Sequence, residues 1–151
     1  MNAPAKQLHN NPTDARPAMV IPTVRQPDFD LADDVPKYWW DNDPLKTLLL
    51  GALSASFPAG ERFFIDSVRH FQDRIDDPEL KKAVRAFIGQ EAHHSKEHKL
   101  LNGYLEERGV GLGRLDREIQ AFMNWMRKNL SPERQLAHTC LLYTSDAADD
   151  P

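Results

Sequence analysis

The sequence predicts an all-α fold, a helical bundle confined to residues 36–140. Apolar residues recur there at spacings of three and four, the repeat of one helix face. No stretch alternates apolar and polar residues as a half-buried strand would, and no internal repeat is visible. Pro, Gly, Asp and Ser fall between the periodic runs, where helices start and stop. At 151 residues the chain has the length of one domain. Its 40% hydrophobic and 28% charged residues are ordinary for a globular protein.

Residues 1–35 carry Pro4, Pro12, Pro17, Pro22 and Pro27, too many for a helix or a central strand. They are expected to form a disordered Pro-rich arm whose end, 24–35, lies extended on the domain. Order begins near Pro36. Tyr38, Trp39 and Trp40 precede a first helix capped by Asp41 or Asn42, with Pro44 in its first turn. Leu45, Leu48, Leu49, Ala52 and Leu53 form its repeat to about Ser56, and Pro58-Ala59-Gly60 is expected to break it. A second helix then carries Phe57, Glu61, Phe64, Val68 and Phe71 on one seam. Asp77 caps a third helix over 78–108, which opens on Pro78 and stops at Gly109. A fourth, from Leu112 or Arg114 to 129, turns Leu115, Ile119, Phe122, Met123 and Met126 inward. Ser131-Pro132-Glu133 starts a fifth. The final run LLYTSDAADDP, 141–151, reads as a non-native tail, and from Thr144 onward it has no apolar period.

Several functions are disfavoured. Net charge is -4 with pI about 5.8, and no basic stripe with interleaved aromatics occurs, so no nucleic-acid partner is expected. The longest apolar stretch, 48–53, is far short of the roughly 20 residues of a membrane span. No signal-peptide apolar region opens the chain, and Cys140 is the single cysteine, so stability rests on packing. Both features fit a cytoplasmic protein. No Gly-rich phosphate loop is present and no Ser-His-Asp set follows from spacing. His138 and Cys140 lack a second pair for zinc, and Asp66 with His70 reads as a surface pair. Trp39, Trp40 and Trp125 read as packing residues.

The informative feature is a polar gap in the third helix. Leu80, Val84 and Phe87 lead at the same spacing to Glu91, His94 and His98, then to Leu101 and Leu105. Three ionisable groups in a buried seam need a compensating charge, because an unpartnered buried carboxylate costs several kcal/mol. A divalent metal supplies it: carboxylate oxygen and neutral imidazole nitrogen suit Fe, Mn or Zn. Glu61 occupies a core position on the neighbouring seam. One Glu from one helix and Glu-x-x-His from another is half of a dinuclear carboxylate site. Glu61, Glu91, His94 and His98 are therefore the candidate metal ligands; His98 is read equally as a ligand or as a hydrogen-bond partner of a ligand, with a satisfied core histidine the alternative, and in a hydrolase it or a carboxylate would handle the proton. The alternative is a structural network in which the seam faces solvent or Glu61 pairs with Arg62 or Lys96. Gln90, Lys96, Glu97 and Lys99 read as the solvated face.

The run VPKYWWDNDPLKTLLLGALSASFPAGERFF, followed by FIGQEAHHSKEHKLLN, resembles the bacterial predicted metal-dependent hydrolases over about residues 24–139. The resemblance implies a ferritin-like bundle, ligation by Glu61, Glu91 and His94, and a matching family histidine at His98. It further implies another Glu and a second Glu-x-x-His from later helices. This chain has neither, so it is expected to be a fragment of an incomplete ferritin-like architecture, with residues 36–140 the first part of a longer metal-binding domain. A dinuclear site is expected in the full-length protein and inactivity in the fragment.

Three functions follow as expectations. The first is hydrolysis of an unknown small-molecule substrate by a metal-activated water. The second is a ferritin-like di-iron oxidase or oxygenase. The third is a non-catalytic helical scaffold. A homodimer that completes the site across an exposed seam is a further expectation.

Overall fold

The computed structural model describes residues 21–29, 31 and 35–146, without the side chains of 144–146. Residues 1–20, 30 and 32–34 of the expected arm, and 147–151 of the expected tail, lie outside the described residues. All regular structure among the described residues is helical: α1 (Pro44–Arg69), a 3₁₀ turn (Gln72–Arg74), α2 (Pro78–Glu107), α3 (Gly113–Asn129) and α4 (Pro132–Asp146). Helices α2, α3 and α4 all pack on α1. Ser54 meets His98 and Asn102 while Glu61 meets His94, so α1 and α2 run antiparallel.

Asp43 caps α1, in place of the expected Asp41 or Asn42. Its carboxylate accepts hydrogen bonds from the backbone N–H groups of Leu45 and Lys46 at 2.8 and 3.2 Å, with Pro44 next in line. A capping residue needs extended backbone, which Asp43 has; Asp41 and Asn42 sit at φ 56° and 54° in the left-handed region.

The expected break at Pro58 is also corrected. Instead of two helices there is one, running through Pro58. An interior proline costs about 3 kcal/mol because its ring crowds the previous turn and it donates no N–H. Here the orphaned acceptor is the Ser54 carbonyl, four residues back, and the Asn102 Nδ2 of α2 donates to it at 3.1 Å. Pro58 itself is buried, so packing adds to that rescue.

The inner face of α1 differs as well. Leu45, Leu49 and Leu53 are 75%, 68% and 53% exposed, whereas Thr47, Gly51, Ser54, Ala55 and Pro58 are buried. Small residues let the helices come close: a Cβ on Gly51 would lie 3.0 Å from Leu112 Cδ1. The core of Ala55, Tyr104, Leu105, Val110 and Leu112 forms there, with Leu31, Val35, Trp39, Leu101 and Leu115 packed around it.

Helix α2 keeps its expected limits. Asp77 caps it through the N–H groups of Glu79 and Leu80, and Gly109 ends it at φ +71°, a conformation that favours glycine. On α3, Met126 is buried and Leu115, Ile119 and Met123 are half-buried, but Phe122 is outward at 55% exposure. Phe122 instead stacks on Trp125, which is equally exposed, as Trp40 largely is. Asp66 does not pair with His70; it bridges to Arg127 of α3 at 2.5 Å and to Arg69 at 4.0 Å. Helix α4 continues to Asp146, past the point where the tail was expected to begin. Leu141, Leu142 and Tyr143 tolerate helix, and Tyr143 finds an edge-on partner in Phe87 at 5.2 Å.

The described part of the arm lies along α2. The N–H of Arg25 donates to Gln90 Oε1 at 2.8 Å, that of Phe29 to Glu97 Oε2 at 3.3 Å, and Val24 lies over Gly89, where a Cβ would be 3.5 Å from its methyls. Glu97 is consequently buried at 6% exposure instead of solvated, which corrects its place on the solvated face. Among the described residues no helix is long and apolar enough to cross a membrane.

Candidate metal centre

Glu61 sits on α1, and His94 and His98 one turn apart on α2. One carboxylate oxygen and a nitrogen from each ring lie within 4.8 Å of one another. Glu61 Oε1 is 2.8 Å from His94 Nδ1, and His94 Nε2 is 3.0 Å from His98 Nε2. Phe57, one turn before Glu61, stacks on His98 with ring centroids 4.4 Å apart and lies 5.6 Å from His94. It fixes both ring planes from the α1 side.

Burial falls steeply across the cluster. Glu61 is 1% exposed, His98 is half-buried, and the His94 side chain is 47% exposed. Although the Glu61–His94 contact is short, it lacks the direction of a hydrogen bond, and neither Glu61 oxygen has a hydrogen-bond partner among the described residues. Carboxylates in such isolation are rare, because a buried anion without donors is strongly destabilising. Neither Arg62, which is exposed, nor Lys96, which pairs with Glu97 at 3.4 Å, relieves it. Burial pushes the His98 pKa below its usual value, His94 adds to the effect, and Glu61 partly opposes it. His98 is thus held neutral, the form that ligates metal. A buried oxygen without hydrogens beside two converging ring nitrogens fits a divalent cation, with three protein donors leaving a coordination position free.

Glu91 is buried, at 7% exposure, but stands outside this trio. It lies on the same face of α2, one turn nearer the N-terminus, and lines a cavity of about 410 Å³ with Glu61, Phe57 and His94. A second cavity of about 610 Å³, walled by Phe29, Leu31, Trp39 and Leu101, is lined also by His94 and His98. His94 therefore lines both cavities, the second of them largely apolar.

Two residues of the site were not singled out from the sequence. Ser54 hydrogen-bonds the His98 ring at Nδ1, 2.8 Å away, and Asn102 at 2.7 Å. The available signal was periodicity: Asn102 follows His98 by four positions and Ser54 precedes Glu61 by seven, so both share the seams of the ligands.

The fold and site together define a helical bundle in which one buried carboxylate meets two partly exposed imidazoles, a cluster of metal-ligand type. The family described as predicted metal-dependent hydrolase matches residues 23–148, and the chain belongs to it. Comparison with curated proteins and with solved structures yields no match.

Proposed function

We propose that the protein is a metal-dependent hydrolase in which Glu61, His94 and His98 hold one divalent metal, with Fe, Mn and Zn the ions that suit these donors. The observation that carries this reading is the Glu61 carboxylate, sealed from water, without hydrogen-bond donors, and facing two imidazoles. When bound, such a metal lowers the pKa of a coordinated water and polarises a scissile bond. The chain's own contribution is positional. Glu61 provides fixed negative charge from a rigid helix, and Phe57 holds the two rings. Glu91 lines the cavity beside the cluster, where it can take up or return a proton. The apolar cavity gives an uncharged small molecule a dry approach to His94 and His98.

The test is metal content of the purified protein, followed by turnover of small esters, amides and phosphates with each metal restored. Hydrolysis that disappears with chelation and in Glu61→Ala supports the proposal. Tight metal binding without turnover of any hydrolysable substrate counts against it.

A second reading, an iron-dependent oxidase with a ferritin-like dinuclear centre, draws on Glu91. Glu91 and His94 form a Glu-x-x-His pair facing Glu61, half the donor pattern of such centres. Oxygen uptake by the anaerobically iron-loaded protein, with a spectral change, separates it from hydrolysis.

A further inference from the structure

We infer that Pro58, Asn102 and Ser54 act in series to fix which nitrogen of His98 is left free, making Nε2 the metal-binding atom. The inference rests on the metal-site reading above, but its first step is a matter of proton counting within the protein.

Pro58 carries no N–H, so the Ser54 carbonyl has no intrahelical partner at the position where the helix would normally supply one. A carbonyl oxygen only accepts hydrogen bonds. The Asn102 amide atom 3.1 Å from it must therefore be Nδ2, which sets the amide orientation. With Nδ2 committed, Asn102 Oδ1 faces the Ser54 hydroxyl at 2.7 Å. Oδ1 is an acceptor, so the hydroxyl's single hydrogen points to it.

Ser54 Oγ then has only lone pairs to offer His98 Nδ1 at 2.8 Å. The hydrogen in that contact belongs to the ring. Neutral His98 is consequently the Nδ1–H form, and its lone pair lies on Nε2, the nitrogen that faces His94 3.0 Å away inside the cluster. Ser54 is 4% exposed, so water does not compete for its hydroxyl. Ser54 and Asn102 are positioning residues: Ser54 touches His98 on Nδ1, and Asn102 acts through Ser54.

A proline in the middle of a buried helix is ordinarily a defect. Here it opens one acceptor, and the residue that fills the acceptor orients the next donor along. Asn102 thus repairs the helix and sets the imidazole at once.

The test uses the full chain, first without metal. Long-range ¹H–¹⁵N correlation at alkaline pH, where imidazoles are neutral, is expected to show His98 with a protonated Nδ1 and an unprotonated Nε2. In Asn102→Leu the Ser54 hydroxyl is released and can donate to Nδ1. The Nε2–H form of His98 then grows, and zinc affinity falls about 10- to 100-fold, the usual loss when a ligand's orienting partner is removed. Ser54→Ala is expected to lower zinc affinity similarly. A wild-type spectrum with His98 protonated on Nε2 overturns the inference, whether or not the variants fold. So does an Asn102→Leu protein with unchanged tautomer and unchanged zinc affinity. A wild-type His98 protonated on Nδ1 in a protein that binds no metal leaves the relay standing and removes the proposed function instead.

Discussion

Glu61 Oε1 and His94 Nδ1 lie 2.8 Å apart across the α1–α2 interface, with Glu61 1% exposed and His94 at the edge of solvent. The pair joins the dry interior of the bundle to two cavities. It also places a buried negative charge where the fold gives it no hydrogen-bond donor. Without a cation this charge is a liability for folding; with one it becomes an anchor.

Metal should therefore stabilise the wild-type protein and not a variant lacking that charge. Zinc at about 100 times its dissociation constant adds roughly 2.7 kcal/mol of stability through binding to the native state. A Tm rise of several degrees is the expected readout. In Glu61→Leu the rise is lost, while the chelated variant melts at or above the chelated wild type, because a buried carboxylate without hydrogen-bond donors has been removed. Thermal melts of both proteins with zinc and with chelator check this. A Glu61→Leu protein that melts far below the chelated wild type would count against an unrelieved charge.

His98 sets a pH dependence with a definite sign. Its folded pKa lies below the unfolded value near 6.5, through burial first and the neighbouring His94 second. The resulting stability is fully present above about 6.5 and is lost as pH falls toward the folded pKa, because the unfolded chain takes up the proton first. Urea unfolding of metal-free protein at a series of pH values should show stability declining below 6.5. His98→Gln should flatten that part of the profile. An unchanged slope in the variant assigns the dependence to other groups.

The bridge from Arg127 to Asp66 ties α3 to α1 at 2.5 Å, with both side chains about one-third exposed. Partial exposure limits its worth, so Arg127→Ala is expected to lower stability by about 1 kcal/mol. Zinc affinity should stay unchanged, since the bridge lies outside the Glu61–His94–His98 cluster. Chemical denaturation and zinc titration of the same sample measure both.

Leu105 is fully buried in the core formed with Ala55, Tyr104, Val110 and Leu112. Truncation to Ala leaves a cavity and is expected to destabilise by about 2–5 kcal/mol. In a domain of this size that is a large part of the total stability. The urea midpoint gives the answer directly, and a loss under 1 kcal/mol would mean that the core repacks around the gap.

Much of the candidate site was legible because α2 keeps a strict helical repeat. Glu91, His94 and His98 interrupt an apolar seam between Phe87 and Leu101, and a helix places residues three and four apart on one face. The first helix was less legible. Its sequence is apolar on one face and small-residued on another, and periodicity does not say which face goes inward. Leu45, Leu49 and Leu53 are the stronger hydrophobic signal, yet Gly51, Ser54 and Ala55 are buried, because close helix approach rewards small side chains. Glu97 was misread for a different reason: the covering atoms belong to Phe29, sixty-eight positions away.

By itself the amino-acid order determined the helical class, the caps at Asp77 and Gly109, and the co-facial set of acid and imidazole groups, all of which depend on neighbours within a turn or two. Tertiary structure decided the rest. It carried α1 through Pro58 with an amide from α2, chose which three of four candidate ligands converge, and set the hydroxyl of Ser54 between His98 and Asn102. Each of those outcomes depends on atoms brought together from distant parts of the chain, and local periodicity holds no record of such meetings.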